Sequence, residues 1–263
     1  MKLFTTSTLL ASCLMSTMSV SAITVDEVIN KANHAAYYQA NSGRAQVDMM
    51  ITDKAGRKNK RRFTILRKDI DQKSDADQKF YILFHKPADV KNTTFMVWKH
   101  LSKADDRWLY LPALDLVKRI AASDNRTSFV GSHFYYEDVS GRGLKADKHQ
   151  LLKDEKQRYV VKSTPKKPES VEFAYYVTQI DKNSFLPLKT QYFDSKGKEI
   201  RAFEALKVEK IDGYNMVTHS VMKDKISGGN TQMKYRKIQF NNSLPEQVFT
   251  ERSLRKTPTK YLK

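Results

Sequence analysis

Between Arg44 and Asn241 apolar side chains recur at every second position, and short clusters of turn residues cut the runs at regular intervals. Ala45, Val47, Met49 and Ile51 alternate with polar neighbours, Lys54-Ala55-Gly56-Arg57 turns the chain, and Phe63 and Ile65 resume the pattern. A period of two puts successive side chains on opposite faces of an extended strand. Further strand-like runs cover 78–85, 94–100, 107–111 and 117–120, and after an interruption at 123–139 they cover 150–152, 158–163, 170–181, 188–194, 199–209, 216–224 and 231–241. Pro165-Lys166-Lys167-Pro168, Ser195-Lys196-Gly197, Asp212-Gly213 and Gly228-Gly229 separate the later runs. Short connections imply an antiparallel meander of about ten or eleven strands, and a twisted sheet of that size curls. No repeat or low-complexity linker divides the chain, so a single domain is expected.

One helix precedes the strands. Thr24-Val25-Asp26-Glu27 reads as a capping box, with Ile23 and Val28 at staple positions. Val25, Val28, Ile29, Ala32 and Ala36 share one helical face until Asn41-Ser42-Gly43 stops the helix.

Residues 1–22 read as a signal peptide: Lys2, an apolar stretch from Leu3 to Val20, then Val20-Ser21-Ala22 in the small-residue pattern of a cleavage site. Leu10-Ala11-Ser12-Cys13 offers a competing lipobox, which would anchor the protein through Cys13. Cleavage after Ala22 leaves residues 23–263 with no cysteine, in the periplasm. The net charge of +18 first suggests nucleic acid, but an exported chain meets anionic lipid surfaces instead.

Catalytic patterns are missing. The sequence holds no G-x-S-x-G, Walker A loop, G-x-G-x-x-G or H-E-x-x-H, and its six histidines have no metal-ligand spacing. Gly131-Ser132-His133 places a hydroxyl beside an imidazole, but sequence neighbours rarely form a nucleophile–base pair. Asp105-Asp106 reads as a solvated hairpin tip. No catalytic residue, metal or cofactor is expected.

Apolar and aromatic residues remain. Phe95-Met96-Val97-Trp98 and Trp108-Leu109-Tyr110-Leu111 are apolar on both faces, whereas a strand with one wet face alternates. Both faces must be covered, either by core or, on one side, by a ligand. The segment from Phe129 to Asp138 adds Phe134, Tyr135 and Tyr136 around a Gly-Ser break, and serves as a mobile lid or a fixed plug. Phe95, Met96, Trp98, Trp108, Tyr110, Phe129, Phe134, Tyr135 and Tyr136 are therefore the candidate cavity residues. Arg119, flanked by Val117 and Ile120, is expected to pair with Glu137 or Asp138.

The runs Arg107-Trp108-Leu109-Tyr110-Leu111-Pro112-Ala113-Leu114, Val117-Lys118-Arg119-Ile120 and Ser128 to Asp138 resemble the outer membrane lipoprotein-sorting protein family, the LolA-like group. Leu186-Pro187-Leu188-Lys189, Tyr192-Phe193-Asp194, Thr231-Gln232 and Phe249 to Leu254 extend the resemblance in order over nearly all of 23–263. It implies an α+β fold: an incomplete antiparallel β-barrel, its hydrophobic cavity covered by an N-terminal helix and a helical or loop plug. It further implies a soluble periplasmic carrier or binder of lipidated cargo or lipid, in some members beside an RND-type exporter, and brings no catalytic residues; a monomer is expected.

An acyl chain of about fifteen methylenes loses roughly 12 kcal/mol on leaving a bilayer for water, which only an enclosed apolar cavity can offset. Basic residues each contribute about 1 kcal/mol near an anionic surface. The expected partners are thus acyl chains of lipoproteins or lipids, with an anionic membrane surface for docking and no nucleic acid. A sensor or accessory module docking an envelope transporter is the alternative, followed by an enzyme or a polyanion binder.

Overall fold

The computed structural model describes residues 22–71 and 74–262, so the expected signal segment, but for Ala22, lies outside the described residues. Helix α1 spans Val25–Asn33 and continues as a π-helical turn over His34–Tyr38. The capping box is formed: Thr24 Oγ1 accepts from the Glu27 amide at 3.2 Å, and the Glu27 carboxylate accepts from the Thr24 amide at 2.8 Å. Val28, Ile29 and Ala32 are its buried face.

Thirteen antiparallel strands form one sheet. The first six are β1 (Ser42–Thr52), β2 (Lys58–Asp69), β3 (Gln78–Lys86), β4 (Thr94–Lys99), β5 (Asp106–Leu111) and β6 (Leu116–Ile120). A long covering segment, 121–146, then crosses the sheet and contains helix α2 (Tyr136–Ser140). It leads to β7 (Asp147–Asp154), β8 (Arg158–Pro165), β9 (Tyr175–Asp181), β10 (Pro187–Phe193), β11 (Glu199–Ile211), β12 (Tyr214–Asp224) and β13 (Asn230–Phe240). A C-terminal stretch with helix α3 (Glu251–Arg255) follows. The order β6-β5-β4-β3-β2-β1-β13-β12-β11-β10-β9-β8-β7 shows two meanders joined where β13 pairs with β1. The sheet is not closed, and β6 and β7 are its edges.

The strand number corrects the expected ten or eleven. Each strand overlaps one of the runs read in the sequence, and the shortest of those, 117–120 and 150–152, lie in the edge strands β6, of five residues, and β7, which exposes most of its side chains. An edge strand has one neighbour and little apolar burial, so its sequence signal is weak. Strand β9 also starts later than the alternation suggested, because Pro168–Ser170 forms a 3₁₀ turn.

Register explains why strands β2 to β5 are apolar on both faces. Ile65, Ile82, Phe95 and Leu109 stand opposite one another in a row on the inner face. The next row, Leu66, Tyr81, Met96 and Trp108, points outward. The inner face packs on segment 121–146, with Phe129 fully buried among Phe63, Phe84, Phe95 and Tyr136 at ring separations of 5.4–6.2 Å. The outer face is covered by the C-terminal stretch, which supplies Leu244, Val248, Phe249, Leu254 and Leu262. Two buried polar contacts fix it there: Tyr81 Oη donates to the Ser253 carbonyl at 2.8 Å and Trp98 Nε1 to the Phe249 carbonyl at 2.9 Å.

Candidate functional site: an apolar cavity with a charged inner wall

A cavity of about 400 Å³ lies between α1, segment 121–146 and the inner face of the sheet. Small residues make the room. Ala32, Ala35 and Ala36 from the helix face Gly43 and Ala45 of β1, where larger side chains would fill the gap. The walls are Ile65, Phe80 and Ile82 on one side and Phe203, Met233 and Tyr235 on the other. Strands β3 and β9, far apart in the strand order, both contribute, so the sheet wraps around the space.

One part of the wall is charged. Glu137 accepts from Arg126 Nη1 at 2.9 Å and from Arg142 Nη1 at 3.1 Å, and Arg142 Nε reaches Asp147 at 2.9 Å. Arg201 pairs with Asp138, and Arg126 also reaches Glu172, Nε to Oε2 at 3.0 Å. Three guanidinium groups thus meet four carboxylates, and every arginine is ion-paired within the network. Burial works to raise the Asp138 carboxyl, yet Arg201 and Arg126 beside it hold it below the ordinary carboxylate range. Burial pushes the Tyr192 and Tyr235 hydroxyls up to about 12, and Tyr37 rises further with Asp138 adding to burial. These phenols stay neutral, so the wall offers hydroxyl groups and ion-paired side chains. A lining that is mostly apolar with a few convergent polar groups suits a ligand with an alkyl body.

The sequence candidates separate into three places. Phe129 and Phe134 line the cavity. Phe95 and Tyr136 sit behind Phe129 in the core, 5.0 Å apart between ring centres, while Tyr135 is held between the guanidinium groups of Arg126 and Arg201 at 4.8 and 4.0 Å. Met96, Trp98, Trp108 and Tyr110 point outward, away from the cavity, against Leu254. The expected pairing of Arg119 is corrected: it bonds Asp106 and lies over the Trp108 ring, because its register position opposite Trp108 puts it on the outer face. Glu137 and Asp138 instead take Arg126, Arg142 and Arg201. Arg201 carried a signal in the sequence, since it occupies the inward phase of the alternation shared with Phe203.

Among the described residues no group of three or more His, Cys, Asp or Glu side chains is placed to hold a metal, and no helix is long and apolar enough to cross a membrane. No match is found among curated proteins. A family model described as "uncharacterized protein" matches residues 76–256. A DUF1329 family protein from Desulfovibrio piger superposes with a TM-score of 0.79 at 26% identity, covering 88% of this chain and 97% of that one. An outer membrane lipoprotein-sorting protein domain from Vibrio parahaemolyticus gives 0.78 at 27% identity, covering 87% and 97%. The chain belongs to the family that this model describes, a DUF1329-like family, and its structural neighbours are outer membrane lipoprotein-sorting and LolA superfamily proteins. A LolA superfamily protein from Nitrosomonas europaea shares the fold at 17% identity, with a TM-score of 0.67 and coverage of 88% and 99%. The LolA-like fold here is the unclosed thirteen-stranded sheet around its helix-covered cavity.

Proposed function

We propose that this protein is a periplasmic carrier that holds the acyl chains of a lipoprotein or lipid in the cavity beneath α1 and delivers them toward an outer membrane. The observation that carries the reading is the cavity itself: about 400 Å³, walled by apolar side chains and kept open by alanine and glycine on facing elements. Such a space replaces the bilayer interior for an alkyl chain at about 0.8 kcal/mol per methylene. The ion-paired wall of Arg126, Glu137, Asp138, Arg142 and Arg201 is given no catalytic role in this reading. Export through residues 1–22 with cleavage after Ala22 places the carrier in the compartment where its cargo travels.

Native mass spectrometry of protein purified from a periplasmic extract tests this. Co-purifying acyl species that leave on contact with acceptor membranes are expected. Protein that is persistently empty and takes up no fluorescent fatty acid would sink the carrier.

A further inference from the structure

Three hairpin turns meet at one end of the sheet, and their exposed surface is basic with one apolar point. The β1–β2 turn is exposed from Lys54 to Lys60, the β10–β11 turn from Ser195 to Lys198, and the β12–β13 turn from Lys225 to Gly228. They are neighbours in space. A Cβ on Gly228 would stand 3.3 Å from Lys54 Cβ, and the Lys225 amide donates to the Ile200 carbonyl at 2.9 Å, just after the β10–β11 turn.

Each turn contains one aspartate, and each aspartate is occupied by its own backbone. Asp53 accepts from the amides of Ala55 and Arg57 at 2.9 and 3.0 Å and pairs with Arg57. Asp194 accepts from the amides of Lys196 and Lys198, both at 2.9 Å. Asp224 accepts from those of Ile226 and Ser227 at 2.8 and 3.0 Å. Lys54, Lys58, Lys60, Lys196, Lys198 and Lys225 form no salt bridge among the described residues, so their charges face solvent. Among them Ile226, at the tip of its turn, is 75% exposed, the highest value of any large apolar residue described.

We propose that this end of the sheet docks the protein on an anionic phospholipid surface, with the lysines on the headgroups and Ile226 entering the interface. The charge complements the lipid, and an exposed branched apolar side chain ringed by lysines matches the interface between headgroups and acyl chains. An acidic protein face would explain the lysines and leave the exposed Ile226 without a purpose. The docking face deepens the carrier reading and rests on it for its purpose, since a carrier has to reach a membrane.

The test uses full-length mature protein freed of bound lipid, so that its outcome does not depend on cargo. Binding to phosphatidylglycerol-containing vesicles is compared with binding to pure phosphatidylcholine vesicles by sedimentation. Selective, salt-sensitive binding to the anionic vesicles is expected. Each lysine near the surface contributes roughly a fivefold factor, so K54Q/K196Q/K225Q should weaken binding about a hundredfold. The same charge change at the opposite end, K153Q/K156Q/K210Q, should leave it within a fewfold of the parent. I226S should reduce binding and leave the salt dependence intact. Equal losses in the two triple variants, or no preference for anionic vesicles, would overturn the docking face. Vesicle binding by a protein whose cavity takes no acyl ligand would support the docking face while refuting the carrier.

Discussion

The ring of Tyr37 lies against Gly141: a Cβ built on that glycine would stand 2.7 Å from two of the ring carbons. Gly141 ends α2 at φ +79° and ψ 150°, a conformation open almost only to glycine. The pair ties the π-helical turn after α1 to the segment that covers the sheet, and so fixes one boundary of the cavity. Gly141→Ala is expected to cost about 2 kcal/mol or more from backbone strain and the clash together. At this chain length that lowers Tm by roughly 4–8 °C. Adding Tyr37→Ala should recover the clash and leave the strain, so a double-mutant cycle by thermal denaturation should show coupling between the two sites.

Filling the cavity should separate binding from stability. Ala32→Phe places a ring in the space the helix leaves open, and should weaken a fluorescent acyl probe at least tenfold with Tm changed by a few degrees. Met96→Ala, beneath Leu254 on the outer face, should behave in the opposite way. It is expected to cost about 2–5 kcal/mol with probe affinity unchanged. If Met96→Ala weakens the probe as strongly as Ala32→Phe does, the outer cluster takes part in binding.

Arg201 and Arg119 give a second contrast, read by chemical denaturation. Arg201→Leu strands the buried Asp138 carboxylate and should cost about 3–5 kcal/mol, whereas Arg119→Ala removes an exposed partner of Asp106 and should cost about 1 kcal/mol or less. Asp138 is held below its ordinary range, so its contribution is complete above about pH 4 and is lost as the pH falls further. In Arg201→Leu burial is no longer offset as fully, so that acid loss should shrink or reverse.

Lys99 sets an alkaline dependence. Burial lowers its ammonium to about 8, where Nζ donates to the Ser140 carbonyl and lies 5.1 Å from the Tyr37 ring centre. With the folded value below the unfolded one, the unfolded chain binds more protons between about pH 8 and pH 10.4, so stability from this group rises with pH across that window. Below pH 8 its burial cost is fully present. Lys99→Met should therefore gain roughly 2 kcal/mol at pH 7 and flatten the rise between pH 8 and pH 10 in melts across that range. An unchanged alkaline slope would assign the rise to other groups.

Local chemistry made much of this fold readable in advance. Thr24 and Glu27 lie three residues apart, so their capping box needs no knowledge of the rest of the molecule. Each strand carries its own alternation, and Phe95-Met96-Val97-Trp98 announced burial on both faces. What covers the outer face was hidden, because Leu254 sits on the five-residue helix α3 and Phe249 on a 3₁₀ turn, without a long amphipathic run, and they meet strands about 150 residues earlier. The partner of Arg119 follows from strand register: the alignment of Arg107 with Ile120 brings Asp106 beside Arg119, and a pattern along a single strand does not reveal it. The cavity was hardest to locate, since its defining residues are alanines and a glycine, which mark a space through what they lack.

The pairing of β1 with β13, and the C-terminal cover over β2 to β6, bear on how the molecule is assembled. The first meander can form its hairpins as soon as it is made, yet Tyr81, Met96 and Trp108 have nothing to lie under until residues 244–262 arrive. Contacts this distant in sequence slow folding, and they prolong the time in which an apolar sheet face is open to aggregation. Completion of the fold therefore waits on residues 244–262, and the apolar outer face of β2 to β5 is most vulnerable until that cover is in place.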